Sequence, residues 1–176
     1  MSESDCSMPS GNSVENRARE VSLSRVDWET LLGPGRFSIM RKQGTEPPFR
    51  NAYWNEHREG VYVCAGTGVP LFSSEDKFDS GTGWPSFSKP IAEGVVAEEV
   101  DYSHGMERRE VYATACGSHL GHVFADGPAP THERYCINSA CLELVPVEEG
   151  QTLDDLHREL SRQAQARIDE LKGKGA

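Results

Sequence analysis

Glycine and proline set the terms on which this chain can fold. There are 17 Gly and 10 Pro in 176 residues, and from Gly60 onward they cut the sequence into short apolar segments separated by turn residues. Val61 and Val63 alternate with Tyr62 and Cys64. Val95-Val96, residues 110–115, 120–124 and 135–147 are further strand candidates. Residues 73–90 are so rich in Ser, Gly and Pro that Trp84 and Phe87 are expected on a loop. This punctuation favours short strands and many turns, a mainly β domain, over a helical bundle. The length suffices for one sizeable core.

The two ends read differently. Residues 1–20 are polar and predict a flexible tail. Ser24-Arg25-Val26-Asp27 predicts a capping box that opens a short helix through Leu31-Leu32, stopped by Gly33-Pro34. Between Phe37 and Trp54, turns with apolar anchors are expected, because Pro47-Pro48 opposes a long helix. Residues 21–149 form the expected folded domain. Residues 150–176 form an amphipathic helix, capped within Thr152–Asp155 and ending near Gly173. Its stripe of Leu153, Leu156, Leu160, Ala164, Ile168 and Leu171 packs on the domain or pairs with a partner.

Charge removes several functions. Lys and Arg total 18 against 28 Asp and Glu, for a net charge of −10, and the basic residues are scattered. That argues against nucleic acid and against an anionic membrane surface. No apolar run is long enough to cross a bilayer. The first twenty residues hold no hydrophobic stretch but include Glu3, Asp5, Glu15 and Glu20. Neither a secretory signal nor a mitochondrial presequence is expected, and the expected location is the reducing cytoplasm. There the five cysteines (6, 64, 116, 136 and 141) point to catalysis, metal or packing before structural disulfides.

Chemistry concentrates in SGTGWPSF at 80–87, GSHLGHVFADGP at 117–128 and RYCINSA at 134–140. On a strand, Arg134, Cys136 and Asn138 share a face, and a cation beside a thiol favours the reactive thiolate. Read alone, Cys136 is more often a small buried hydrophobe, the commonest fate of a lone cysteine. His119 and His122 are three apart, so a straight strand would splay them. To serve one site, His119 must lie in the turn before the strand, with Asp126 orienting the imidazoles. A structural histidine and a zinc pair are the competing readings, and no second close cysteine completes a zinc set. Trp84 is either a core lid or the apolar wall of a cleft.

GVYVCAGTGVPLFSSEDKFDSGTGWPSF, DYSHGMERREV, HLGHVFADGP and RYCINSACLEL together resemble the type B peptide-methionine sulfoxide reductases, from about Val21 to Val147. HLGHVF followed by RYCIN is the specific part. The resemblance implies an Mss4-like, β-tent architecture: two small antiparallel β-sheets with short N-terminal helices, to which the C-terminal helix is an addition. It implies thiol-dependent reduction of methionine-R-sulfoxide, peptide-bound or free, in the repair of oxidised proteins. Cys136 becomes the nucleophile and passes through a sulfenic acid. His119 and His122, oriented through Asp126 and an ordered water, protonate the sulfoxide oxygen. Arg134 and Asn138 bind or activate around the thiol, and Trp84 holds the S-methyl group. Thioredoxin is the implied electron donor, and no organic cofactor is needed.

Two departures from that pattern stand out. Relatives that hold zinc use two Cys-x-x-Cys pairs, whereas this chain has Cys64-Ala65-Gly66-Thr67 and Ala113-Thr114-Ala115-Cys116. Two thiols cannot complete a tetrahedral tetrathiolate, so no structural zinc is expected; a Cys64–Cys116 disulfide is the alternative. Where zinc-free relatives often carry a resolving cysteine in SGCGWPSF, this chain has Thr82. On an extended strand Cys141 lies about 16 Å from Cys136, beyond the ~7 Å reach of a disulfide. Cys6 is the resolving candidate, beside direct reduction of the sulfenic acid. Two rival readings, a non-catalytic binding module and a cysteine hydrolase, leave the HLGHVF and RYCIN pairing unexplained.

Overall fold

In the computed structural model, Val14, Arg17 and residues 19–175 are described; Cys6 lies outside them. Within the expected tail, Val14 and Arg17 are both buried. Ser24 caps the first helix, α1 (Arg25–Met40). Its hydroxyl accepts from Asp27 N at 3.1 Å and donates to the Asp27 carboxylate at 2.7 Å. The expected stop at Gly33-Pro34 is a kink instead. Gly33 breaks the run at φ 75°, and Pro34, whose fixed φ suits a first helical position, restarts it. Phe37 and Met40 therefore sit on the helix rather than in turns, and join Trp28 and Leu32 in the core.

Two antiparallel sheets follow. The smaller has the order β2 (Pro70–Ser73), β1 (Gly60–Cys64), β9 (Leu142–Pro146). The larger has six strands: β3 (Lys77–Phe78), β4 (Ser86–Phe87), β8 (Arg134–Ile137), β7 (His119–Phe124), β6 (Arg108–Ala113) and β5 (Val96–Asp101). Phe87 thus belongs to a strand, not a loop, where it stacks on Phe72 at 4.5 Å between centroids. The strand expected over 135–147 is really two. A 3-10 turn at Ser139–Cys141 carries the chain out of the large sheet at Ile137 and into the small one at Leu142.

The C-terminal helix, α2 (Leu153–Gly175), opens on a reciprocal cap: Asp155 N donates to Thr152 Oγ1, and Thr152 N to the Asp155 carboxylate. Its stripe is spent on its own domain. Leu156 and Leu160 pack on Val61 and Val63, while Ile168 and Leu171 enter the main core. The helix runs two residues past Gly173, and Gly175 presses so closely on the Ser22 carbonyl that no side chain would fit. No helix among the described residues is long and apolar enough to cross a membrane.

Cys64 and Cys116 meet at one corner of the core, both buried and unbonded, with Sγ atoms 4.0 Å apart. Among the described residues no third His, Cys, Asp or Glu gathers with them. This donor set does not fit a four-coordinate zinc.

Candidate active site

The site is built on the register of β7 and β8. Antiparallel pairing sets His122 directly opposite Cys136 and Phe124 opposite Arg134, so all four side chains rise from one face. Ser86 of β4 stands opposite Cys136 on the other side. His122, Phe124, Arg134 and Cys136, with Thr45, Thr82, Trp84, Arg108, Ile137 and Asn138, line a cleft of about 250 Å³.

A bulge resolves the awkward spacing of the two histidines. The pairing of β6 with β7 runs Glu110↔His122, Val111↔Gly121, then Tyr112↔His119, which skips Leu120. The extra residue turns His119 to the face of His122, with ring centroids 5.6 Å apart, and sends Leu120 into the core. His119 is therefore in the strand, not in the turn before it. It lies behind His122, buried, with Nε2 unpartnered among the described residues.

Each imidazole has its own carboxylate, and neither is Asp126. His122 Nε2 donates to Asp101 at 2.8 Å, and His119 Nδ1 donates to Glu110 at 2.6 Å. Burial opposes ionisation of Asp101, but the His122 hydrogen bond and the Ser103 donors hold its carboxyl well below the usual range. Burial also lowers His122, against the pull of Asp101, which leaves that ring neutral near pH 7. Glu110, against its burial, is brought down to about 2 by His119, Arg17 and Gln43. Asp126 instead grips Arg134 with two bonds, at 2.9 and 3.1 Å, on the exposed rim. No local signal in the sequence marks Asp101 or Glu110, because the pairing of β5 and β6 brings them in.

Arg134 does less for the thiol than its neighbourhood suggested. Burial pushes the Cys136 thiol up; Arg134 and a hydrogen bond with Thr82 pull it down, and Asp126 opposes them. Burial wins, so in the free protein Cys136 is a protonated thiol above its ordinary value rather than a resting thiolate. Thr82 belongs to a hydroxyl chain, 2.8 Å from Ser80, which is 2.7 Å from Ser86.

Glu46, another residue without a sequence signal, ties the cleft walls together. Its carboxylate accepts from Ser139 N and Ala140 N, its carbonyl accepts from Trp84 Nε1 at 2.9 Å, and its N–H donates to Asn138 Oδ1. The Asn138 amide also donates to the Leu120 carbonyl at 3.0 Å. Asn138 thus fixes the bulge to the loop, with one amide hydrogen left for a ligand.

The remaining described thiols are out of reach. Cys141 does come back toward the site, because the chain turns sharply after Asn138, so its separation along a strand is not what excludes it. Burial excludes it: it is wholly covered, with Sγ 3.2 Å from the His119 carbonyl. Cys64 and Cys116 are equally covered, and only Cys136 faces the cleft.

Residues 32–146 match the SelR domain family. A peptide methionine sulfoxide reductase MsrB of Bradyrhizobium diazoefficiens is 54% identical over 127 residues, 72% of this chain and 91% of the relative. Proteins of the same name from Leptospira interrogans and Pseudomonas entomophila are 52% and 53% identical, covering 70% and 73% of this chain and 95% and 98% of their own lengths. With the β7–β8 pairing, the tryptophan-walled cleft and similarity at this level, the chain belongs to the MsrB family of SelR-domain proteins.

Proposed function

We propose that this chain is a thiol-dependent reductase of methionine-R-sulfoxide in oxidised proteins, with Cys136 as nucleophile. The observation that carries the reading is the pairing of Cys136 with His122 across two strands, beneath Trp84, in the one cleft that exposes a thiol among the described residues. An indole wall suits an S-methyl group, and its placement selects one epimer. A sulfoxide oxygen leaves sulfur only once it is protonated, and a half-buried thiol with a raised pKa gives up its proton only when something takes it. The two requirements meet here. His122, neutral and held at Nε2 by Asp101, offers Nδ1 to the Cys136 proton, while His119 and bound water complete the path to the sulfoxide oxygen. Asp126 acts through Arg134, holding the guanidinium beside the sulfur.

The step balances as Cys136–SH + R₂S=O → Cys136–SOH + R₂S: oxygen passes from substrate sulfur to cysteine sulfur, and the substrate gains the two electrons the cysteine loses. A second thiol then forms a disulfide and releases water. We assign that thiol to Cys6, with thioredoxin reducing the disulfide in a reducing cytoplasm and no organic cofactor required. If Cys6→Ser leaves thioredoxin-driven turnover unchanged, thioredoxin reduces the sulfenic acid directly. The main test is a racemic methionine-sulfoxide peptide with dithiothreitol. Half the substrate, the R epimer, should be consumed; consumption of it at an undiminished rate by Cys136→Ser would overturn the reading.

A further inference from the structure

The carboxylate behind His119 is held by a residue from far outside the matched family region. Glu110 is 2% exposed and accepts from His119 Nδ1 at 2.6 Å, from Gln43 Nε2 at 3.0 Å on both oxygens, and from Arg17 Nη2 at 2.5 Å. The Arg17 side chain is 1% exposed. It also donates to the Gly117 carbonyl at 2.8 Å, reaches Glu99 at 3.3 Å, and lies 4.2 Å over the Tyr112 ring. Neither Arg17 nor the segment that carries it belongs to residues 32–146. The segment is fastened at Glu20 and Val21, whose N–H groups donate to the Ala115 carbonyl, and by the α2 contacts Lys172–Glu20 and Gly175–Ser22. Two additions to the family domain thus clasp each other and deliver one guanidinium to the back of the site.

We propose that Arg17 is a positioning residue that fixes the hydrogen on His119, keeping Nε2 bare by holding Glu110 ionised. This rests on the reductase reading for its catalytic meaning, but not for its geometry. Proton bookkeeping around the pair gives the reason. With Arg17 present, the carboxylate already has a cation, so the neutral ring places its one hydrogen on Nδ1, toward Glu110, and Nε2 is an acceptor. Without it, a buried carboxylate must find another neutraliser. Either Glu110 takes a proton and donates it to Nδ1, which moves the ring hydrogen to Nε2, or the ring becomes an imidazolium with hydrogens on both nitrogens. Both routes put a hydrogen on Nε2. A buried acceptor beside His122 becomes a donor, and any water or substrate group it orients is turned around.

Nitrogen-15 NMR of histidine-labelled protein reads this directly, because bare and protonated imidazole nitrogens resonate apart. The Arg17→Met variant, which keeps an apolar stem over Tyr112, should show His119 Nε2 protonated where the parent shows it bare. It should lose about ten- to a hundred-fold in kcat, with KM changed little. Arg17→Lys should restore the bare nitrogen and part of the rate. In the double variant Arg17→Met with Glu110→Gln, a neutral amide oxygen accepts from Nδ1 without needing a cation, so Nε2 should again be bare. An unchanged Nε2 signal in Arg17→Met would overturn the proposal, as would a double variant that stays protonated. Should Arg17→Met fail to fold, Arg17→Gln, which keeps a donor but carries no charge, decides the matter by the same signal: a protonated Nε2 is expected, and a bare one overturns the proposal. Since the spectrum needs no turnover, a failure of the reductase reading would appear only in the assay.

Discussion

Two pairs of side chains invite comparison: Cys136 with His122 on the face of the large sheet, half-buried, and Cys64 with Cys116 at the corner of the core, fully buried. Both place a sulfur beside a partner able to exchange a proton with it. The corner pair is sealed: each thiol is wholly covered, 4.0 Å from the other. The sheet pair opens into a cleft, with Trp84 as wall and Arg134 as cation, and with an imidazole whose far nitrogen is anchored by Asp101. On the proposed mechanism, reactivity in this molecule comes from access and from proton acceptors, not from the number of thiols.

The largest expected effect separates the two pairs outright. Cys136→Ser should lose about a thousand-fold or more in kcat, while the double variant Cys64→Ser with Cys116→Ser stays within about threefold of the parent in a steady-state assay. An equally inactive but folded double variant would erase the contrast. Next, Asp101→Ala removes the fixed acceptor for His122 Nε2–H. It should cost about ten- to a hundred-fold in kcat with KM little altered, roughly the scale of one general acid–base contact.

A smaller effect concerns the thiol itself. Because Cys136 is raised, its alkylation by iodoacetamide, followed by mass spectrometry of its own peptide, should climb with pH around a midpoint above the ordinary ~8.5 of a free thiol. Asp126 contributes to the upward shift, so Asp126→Asn should lower the midpoint and speed alkylation at pH 7 by about two- to fivefold. Arg134 contributes downward, so Arg134→Met should raise the midpoint and slow it. The smallest effect belongs to the corner. Cys116→Ser alone should cost about 1–2 kcal/mol, a drop of a few degrees in Tm by calorimetry, since it buries a more polar group in the same space.

Local pattern made much of this legible. Gly and Pro spacing marked the β class, the Thr152 cap and its stripe marked α2, and RYCIN placed Arg134, Cys136 and Asn138 on one surface. What escaped was set by contacts distant in sequence. Asp101 and Glu110 reach the histidines through β5 and β6, and Glu46 reaches Trp84 and Asn138 from a loop. The Leu120 bulge is a register property that no composition reveals. Asp126 lay close in sequence to His122, yet a fork-shaped guanidinium opposite it was the better partner. Arg17 sits in a stretch whose composition reads as tail, and its burial depends on α2 and on Glu110 being present together.

The passage of the chain from β8 through the Ser139–Cys141 turn into β9 has a dynamic consequence. Cys136, the proposed nucleophile, rides on the stitch that joins the two sheets, so its backbone cannot fray without parting them. Amide hydrogen exchange at Ile137 and Leu142 should therefore report one shared opening event, close to whole-domain unfolding, whereas the hairpin tip at Ser103–Gly105 exchanges freely. Motion needed for turnover is then confined to side chains and to the cleft rim, while the sulfur stays on a rigid mount.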